Sequence, residues 1–392
     1  MILIGSIMTQ DWIARNPRAR RDRPYGAEQR HVIDPDGVPE LLQSLAACPV
    51  HKPTPLQSLP AMAAELGIGE LRVKDESQRF GFGAFKALGG VYAVGMALAR
   101  AVQARHGTLP SLEELMTHKH RDVTVGFTFA TASSGNHGRS VAAGAKLFGT
   151  RCVVFLPVFT SAEKEAAIRA RGAEVIRIDG DYEEAVEQCR RQSLAKGWTI
   201  ISDTSWDGYQ DTPRDVMRGY TVLAEEVLRQ WPAGPTHVFV QAGVGGLAAA
   251  VIGYLWARCN PRPQFIVVEP ESADCWLQSN RTGKPALASG NADTVMGGLA
   301  CREISPITWP VVGLGADWFM TITEDQVLPA RRKLAHPRQG DPAITSGPSG
   351  CASFAGLVRV CTDPATAAAL QLGKSSRVLV INSEGNLGEG AA

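Results

Sequence analysis

Short apolar segments alternate with longer segments of helical periodicity along most of the chain. The apolar segments predict strands over residues 71–74, 123–131, 152–156, 174–178, 237–241, 265–269 and 377–381. The periodic segments predict helices over residues 84–105, 136–148, 162–171, 182–196, 217–230 and 246–258. This alternation is typical of βαβ units, so we expect an α/β fold with mainly parallel, twisted sheets flanked by helices. Because 392 residues exceed the usual length of one α/β layer, we expect two domains.

The overall composition argues against several classes of function. The formal net charge of +1 gives no electrostatic case for nucleic-acid binding, and the arginines within residues 15–23 are interpreted as a solvated N-terminal segment. No run of about eighteen apolar residues predicts a membrane span. Residues 1–7 are too short for the apolar region of a signal peptide, so we expect a cytoplasmic protein. The eight cysteines contain no Cys-x-x-Cys pair, which favours free thiols over a metal site.

A glycine-rich segment separates the predicted strand 237–241 from the predicted helix 246–258. It reads Ala242-Gly243-Val244-Gly245-Gly246-Leu247. Backbone amides at the start of a helix bind phosphate readily. A tight strand–helix turn has the same composition, and this segment alone supports both interpretations equally.

A second segment between a strand and a helix carries hydroxyl and amide groups. It reads Ser133-Ser134-Gly135-Asn136-His137-Gly138. Its amides and hydroxyls can receive a substrate carboxylate at the helix N-terminus. An ordinary N-cap is the alternative, and a single serine would favour it.

A lysine follows aromatic and small residues near the start of another predicted helix, in Gly81-Phe82-Gly83-Ala84-Phe85-Lys86. Such surroundings can desolvate an ammonium and lower its pKa. Pyridoxal phosphate (PLP) requires a lysine amine for its Schiff base, and that amine can later take a proton from the substrate Cα. This segment alone favours a surface lysine. Taken with the two segments above, it predicts a PLP site.

Two further residues fit such a site. Asn136 has an amide that can bond to the phenolate oxygen of the cofactor, whereas His137 in such a place is more often a structural neighbour than a base. Ser383 follows a strand of buried type near the C-terminus. Its hydroxyl can face the pyridine nitrogen.

The chain resembles the tryptophan-synthase-β-like, or fold-type-II, PLP enzymes, and within them the diaminopropionate ammonia-lyase family most. The resemblance runs from about Pro53 to Gly385 and includes Val73-Lys74-Asp75-Glu76-Ser77-Gln78-Arg79-Phe80-Gly81, Val268-Glu269-Pro270 and Met296-Gly297-Gly298-Leu299-Ala300-Cys301. It implies that Lys86 forms the Schiff base beside Phe85, that Asn136 contacts the cofactor hydroxyl, that Ser383 faces the pyridine nitrogen, and that the phosphate is held by Gly243, Val244, Gly245, Gly246 and Leu247.

One residue departs from the family pattern. The family usually carries an aspartate directly before the Gly-Asn-His of the carboxylate loop, and this chain has Ser134 there. The other active-site acid of the family is retained as Asp203, although a turn or cap residue at a strand end has the same signature. The resemblance implies that substrate is bound by Ser133, Ser134, Gly135 and His137. Because this loop is also similar to that of serine and threonine dehydratases, the resemblance leaves the substrate open.

The expected reaction is α,β-elimination from a small amino acid with a leaving group on Cβ. We expect Lys86 to take the Cα proton and Asp203 to bind or protonate the leaving group. The favoured substrate is 2,3-diaminopropionate, with the L-isomer preferred and with pyruvate and ammonia as products. The alternatives are a serine/threonine-type or hydroxyaspartate dehydratase and a β-replacement synthase.

The resemblance also implies how the chain is organised. It divides into a large PLP-binding domain of residues 1–90 and 203–392 and a small α/β domain of residues 91–202. The small domain is expected to close over the active site. We expect a homodimer that binds a small amino acid and neither nucleic acid nor membrane.

Overall fold

The computed structural model describes residues 10–46, 48, 50–133 and 135–386. The predictions for residues 1–7 and for Ser134 concern positions outside these residues. The strands are β1 Ile13–Arg15, β2 Leu56–Ser58, β3 Glu70–Asp75, β4 Thr128–Ala132, β5 Arg151–Pro157, β6 Glu174–Ile178, β7 Thr199–Ile200, β8 His237–Gln241, β9 Gln264–Pro270, β10 Trp318–Ile322 and β11 Arg377–Asn382.

The strands form two separate sheets. The larger has seven strands in the order β1-β10-β9-β8-β11-β3-β2, and the smaller has four in the order β6-β5-β4-β7. All pairings are parallel except those of the edge strands β1 and β2, which are antiparallel. Parallel strands require covered faces, and every residue of β8 and β9 is buried, as the continuous apolar runs predict. The α/β fold with mainly parallel sheets is confirmed.

Helices connect the strands and cover both sheets. They are α1 Ala27–Val32, α2 Val38–Ala46, α3 Pro60–Glu65, α4 Lys86–His106, α5 Leu112–Met116, α6 Arg121–Thr124, α7 Asn136–Leu147, α8 Ala162–Arg169, α9 Tyr182–Lys196, α10 Asp211–Gln230, α11 Gly246–Arg258, α12 Cys275–Thr282, α13 Trp309–Gly315, α14 Glu324–Ala335, α15 Pro348–Cys361 and α16 Pro364–Ala369. Capping residues determine where several of these helices begin and end. Asp181 caps α9 by accepting a bond from the Glu184 amide, and Gly197 ends that helix in the left-handed conformation.

The four-stranded sheet uses residues 128–200, and the seven-stranded sheet uses segments on either side. One apolar core continues between them, because α4 packs against both α7 and α10. A second apolar cluster lies on the other face of the seven-stranded sheet, beneath α14 and α15. The proposed boundaries at residues 90/91 and 202/203 stay a prediction.

Three sequence-based expectations differ from the structure. The strand predicted over 123–131 begins only at Thr128, because residues 121–124 form the short helix α6. The helix predicted from residue 217 begins at Asp211, because Pro213 lies in its first turn, where proline is tolerated. The arginines of residues 15–23 are partly docked, since Arg18 donates to the Asn280 side chain at 2.8 Å and Arg21 pairs with Asp317 at 3.2 Å.

Helix α4 corrects the expectation that no segment is apolar enough to cross a membrane. By length and composition alone it could do so, and 56% of its apolar window is buried within this fold. Its N-terminal residue, Lys86, carries the predicted cofactor-binding amine. The apolar composition of α4 therefore serves its packing between α7 and α10.

Four charged side chains form a buried network behind the segment that leads to Lys86. Lys74 donates to Glu226 at 2.6 Å, and Arg79 donates to Glu226 at 2.7 and 2.8 Å and to Glu76 at 2.8 Å. The exposed fraction of all four side chains is at most 2%. Two cations face two carboxylates, so the network is formally neutral. It fixes β3 and the turn after it against α10.

We expect Glu226→Gln to destabilise the protein strongly, because Lys74 and Arg79 would then share one remaining carboxylate. Removing one partner of a buried ion pair costs about 3–5 kcal/mol, so the melting temperature of an apoenzyme of 392 residues should fall by about 4–6 °C. Glu187→Gln is the matched control, since Glu187 pairs with Arg190 at 2.9 Å on the surface. Equal melting temperatures for the two variants would contradict the network's importance.

Candidate active site

Three of the segments predicted to form the site follow neighbouring strands of the large sheet. Strand β11 pairs in parallel with both β3 and β8, so the carboxyl ends of all three lie at one edge. The segment to Lys86 follows β3, the glycine-rich segment follows β8, and Ser383 follows β11. Ligands in open α/β sheets bind at this kind of edge.

Backbone bonds fix the approach to Lys86. The Phe85 amide donates to the Ser383 carbonyl at 3.0 Å, and the Gly385 amide donates to the Gly83 carbonyl at 2.9 Å. Ala84 forms an isolated β-bridge with Glu384. The lysine is therefore held by the same chain segment that carries Ser383, whose side chain is buried.

The Lys86 ammonium lies 2.5 Å from a carboxylate oxygen of Asp203. Its nitrogen also lies 5.5 Å from the ring centre of Phe85 and 5.9 Å from that of Tyr220. Burial opposes the positive charge, but the Asp203 carboxylate outweighs it and raises the pKa of Lys86 above its ordinary value. Burial likewise opposes the charge on Asp203, yet His137 and Lys86 hold the pKa of that carboxyl below its ordinary value.

Asp203 itself is positioned from both sides. The Tyr209 hydroxyl donates to the Ile200 carbonyl at 2.9 Å and accepts from the Ser202 amide at 3.0 Å. On the other side, the Ser205 amide donates to the Ser305 hydroxyl at 2.9 Å. The loop is thus tied at both ends, and this restricts where the carboxylate can move.

His137 is buried beside this pair. Its Nε2 lies 2.9 Å from the Ile201 carbonyl, which requires that nitrogen to donate, and its Nδ1 lies 3.9 Å from Asp203. Burial lowers the pKa of His137, and the nearby Asp203 only partly opposes this effect. A neutral imidazole whose Nε2 bears the proton fits this geometry, so His137 acts here as a packing neighbour of Asp203.

In the glycine-rich segment, the backbone carbonyls point away from the site and the backbone amides point toward it. The Gly243 carbonyl accepts from the Trp276 indole at 2.9 Å, and the Val244 carbonyl accepts from the Ser305 amide at 2.8 Å. Gly245 has φ +104°, and a Cβ there would lie 2.3 Å from the Trp276 ring. Only glycine fits at position 245.

Helix α11 begins directly after this turn. Its capping bond runs from the Ala249 amide to the Gly245 carbonyl, so the amides of Gly246 and Leu247 belong to the orphan donors of the first turn. No acidic residue lies in that turn. Orphan amides with the positive end of the helix dipole form a site suited to a phosphate.

The predicted carboxylate loop, residues 133–138, connects the end of β4 to the start of α7. Ser133 directly follows β4, and its hydroxyl accepts a hydrogen bond from the Gly135 amide at 3.3 Å. Gly135 is exposed at the N-cap of α7. Asn136 donates to Glu384 at 2.7 Å and accepts from Arg139 at 3.0 Å. The Asn136 amide is thereby oriented across the gap between the two sheets.

Contacts in the structure join Lys86, Asp203 and His137 to one another, and they join Phe85 to Ser383 and Asn136 to Glu384. Sequence reasoning missed four neighbours: Tyr220 and Cys301 beside Lys86, and Glu384 and Arg139 around Asn136. Glu384 directly follows Ser383, and that adjacency was a usable signal. Tyr220 and Arg139 lie inside helices without any local motif.

These groups fit PLP. A half-buried amine can reach an aldehyde, amides at a helix N-terminus can hold a phosphate, and an oriented amide and a hydroxyl flank the space between. A sequence model of the family of pyridoxal-phosphate-dependent enzymes matches residues 48–384. The chain belongs to the pyridoxal-phosphate-dependent enzymes. PLP is its cofactor, as the sequence predicts.

A related sequence and solved structures agree with this assignment. The diaminopropionate ammonia-lyase of Salmonella typhimurium is 37% identical over 358 residues, which cover 88% of this chain and 88% of the relative. The crystal structure of holo diaminopropionate ammonia-lyase from Escherichia coli has a TM-score of 0.84 at 33% identity and covers 96% of this chain and 94% of that chain. The same values hold for that enzyme in complex with D-serine. The PLP-dependent lyase class and the fold-type-II resemblance are confirmed.

We expect Asp203→Asn to lower the pKa of Lys86 in the apoenzyme, because an amide cannot offset the cost of burying the ammonium. A lower pKa leaves more neutral amine near pH 8, so an acylating reagent should modify Lys86 at least about tenfold faster. Peptide mapping by mass spectrometry measures the rate, and the exposed Lys284 in the same digest is the internal control. Identical Lys86 rates in both proteins would refute the electrostatic role of Asp203.

Proposed function

We propose that the protein catalyses α,β-elimination of 2,3-diaminopropionate to pyruvate and ammonia. The observation that carries this proposal is the contact between Lys86 and Asp203, an amine paired with a carboxylate inside a PLP site. The relatives named diaminopropionate ammonia-lyase support the choice of substrate. Bound PLP supplies an electron sink for the bond broken at Cα.

Lys86 holds and then moves the Cα proton in this proposal. Its nitrogen would hold the cofactor in the resting enzyme and would be free once the substrate amine is bound. It then lies in the cleft as a base directed at Cα. The backbone hydrogen bonds that join Ser383 and Gly385 to the segment before Lys86 keep the lysine amine on one side of the site.

Asp203 binds the β-amino group of the substrate. Its carboxylate already accepts an ammonium, that of Lys86, at 2.5 Å. When Lys86 holds the cofactor or acts as the base at Cα, Asp203 would lose that partner, and the substrate's β-ammonium would take its place. Because the pKa of Asp203 is held low, the carboxylate suits binding of a cation better than donation of a proton.

The remaining predicted residues hold the cofactor and the substrate carboxylate. We assign the phosphate to residues 243–247, the phenolate oxygen to Asn136 and the pyridine nitrogen to Ser383. A neutral hydroxyl would not keep that nitrogen protonated, which favours prompt elimination over racemisation. Ser133, Gly135 and the amides at the start of α7 receive the substrate carboxylate.

Because the site lies between the two sheets, we infer that the small domain closes on the substrate. Lys86 belongs to the segment after β3, whereas Gly135 and Asn136 belong to the small sheet's α7. The bond between Asn136 and Glu384 spans the two parts. Movement of residues 91–202 toward Lys86 would expel water and protect the reactive product of elimination.

We expect keto acid to be released from diaminopropionate faster than from serine, threonine or hydroxyaspartate. Asp203 provides a counter-charge that only the β-ammonium of diaminopropionate uses. Borohydride reduction of the holoenzyme, followed by peptide mapping, should place the cofactor on Lys86, and Lys86→Ala should abolish elimination.

Two outcomes would contradict this proposal. Cofactor label on Lys74 with Lys86 unmodified would overturn the assignment of the amine. A higher kcat/KM for serine or threonine would favour a dehydratase, which the Ser133-Ser134-Gly135 sequence of the loop also allows. Lys284→Ala is a matched control, since this exposed lysine lies outside the site.

We further infer that the enzyme prefers the L-isomer. Lys86 approaches Cα from one side only, and the other enantiomer needs a base on the opposite side. The family resemblance puts an aspartate there, and this chain has Ser134, whose hydroxyl has a much higher pKa than a carboxyl. The E. coli relative, which was crystallised with D-serine, accommodates a D-amino acid.

We expect kcat/KM for D-diaminopropionate to be far below that for the L-isomer, and Ser134→Asp to recover part of the D activity. A carboxylate at this position supplies the missing base. Steady-state assays with both pure isomers measure the ratio, and Ser134→Asn is the control of similar shape without a base. Equal kcat/KM for the two isomers in the native enzyme would defeat the inference.

A further inference from the structure

Tyr220 lies in helix α10 between the two elements that meet at the cofactor site. Its ring packs on Phe85 with the centroids 4.6 Å apart. A Cβ on Gly89 of α4 would lie 2.4 Å from one edge of the ring, and a Cβ on Gly246 of α11 would lie 3.7 Å from the opposite edge. The absence of a side chain at Gly89 therefore makes room for the ring, which reaches the start of α11.

The hydroxyl of Tyr220 is buried without a hydrogen-bond partner among the described residues. The residue is only 1% exposed. By contrast, the buried Tyr25 donates to the Gln29 and Ile33 carbonyls at 3.0 and 2.9 Å, and Tyr254 donates to Glu225 at 2.5 Å. A buried hydroxyl without a partner destabilises a fold, so its retention calls for an explanation such as a ligand.

The chemistry of the missing partner follows from the neighbours. Burial raises the pKa of Tyr220, so the phenol keeps its proton and can donate it. The nearby Lys86 ammonium has only donors: it can donate toward the Tyr220 hydroxyl oxygen, but it cannot accept the phenol's own proton. Asp203 is already engaged with Lys86. The partner is therefore an acceptor located between Lys86 and the N-terminus of α11.

We propose that Tyr220 is a cofactor-binding residue whose hydroxyl donates a hydrogen bond to the phosphate of PLP. Lys86 fixes the aldehyde end of the cofactor, and the amides after Gly245 fix the phosphate end. The Tyr220 ring packs on Phe85 and lies near Gly246, so the residue is located between the two regions. The inference rests on the cofactor alone, so an error in the proposed substrate would leave it intact.

The test is Tyr220→Phe, compared with Tyr254→Phe as a control in the neighbouring helix α11. Each apoenzyme is titrated with PLP and with pyridoxal, which lacks the phosphate, and binding is followed by the absorbance of the bond to Lys86. Loss of a hydrogen bond to a charged group weakens affinity roughly tenfold or more. We expect that loss for PLP with Tyr220→Phe, less than about twofold for pyridoxal, and neither loss with Tyr254→Phe.

Thermal unfolding provides a second readout, because Tyr220→Phe should change the melting temperature in opposite directions without and with PLP. Without cofactor, Tyr220→Phe should melt at or above the native temperature, because it removes an unpaired buried hydroxyl. With subsaturating PLP the variant should melt below the native enzyme. Equal weakening toward PLP and pyridoxal, unchanged PLP affinity, or a lower melting temperature of the apoenzyme would each overturn the proposal.

Discussion

The contact between Lys86 and Asp203 is the constraint on which the site depends. An ammonium that must lie in a cleft between two sheets is costly to bury alone. Asp203 supplies the compensating charge at 2.5 Å, and the hydroxyls of Tyr209 and Ser305 hold the loop that carries it.

Parallel topology brings the other parts to this pair. Strands β3, β8 and β11 are neighbours in one sheet, so the segments that follow them must leave at the same edge. Residues far apart in sequence, such as Lys86, Gly245 and Ser383, thereby reach one space. The buried network of Lys74, Arg79, Glu76 and Glu226 stiffens the turn that leads to the lysine, and it is formally neutral, so burying it leaves no net charge uncompensated.

Much of this arrangement could be predicted because it is encoded locally. The glycine-rich turn and the polar loop before α7 each join a strand end to a helix start within a few residues, and Lys86 is the first residue of α4, directly after Phe85. The alternating pattern also predicted β5, β6 and β8 closely. Tyr220 and the bond between Asn136 and Glu384 could not be predicted, since the latter joins positions 248 residues apart. The helix α6 was missed because four residues carry too little periodicity to distinguish it from a strand.

The polar groups left unpaired inside the fold include members of the site. Among the described residues, the Tyr220 hydroxyl and the His137 Nδ1 are buried without hydrogen-bond partners, and both lie beside Lys86 or Asp203. Each such group lowers the stability of the protein without cofactor. A ligand that supplies the missing partners binds the folded state alone and recovers that free energy. Pairing of these groups by a bound ligand would therefore couple the stability of the enzyme to ligand binding through the same side chains.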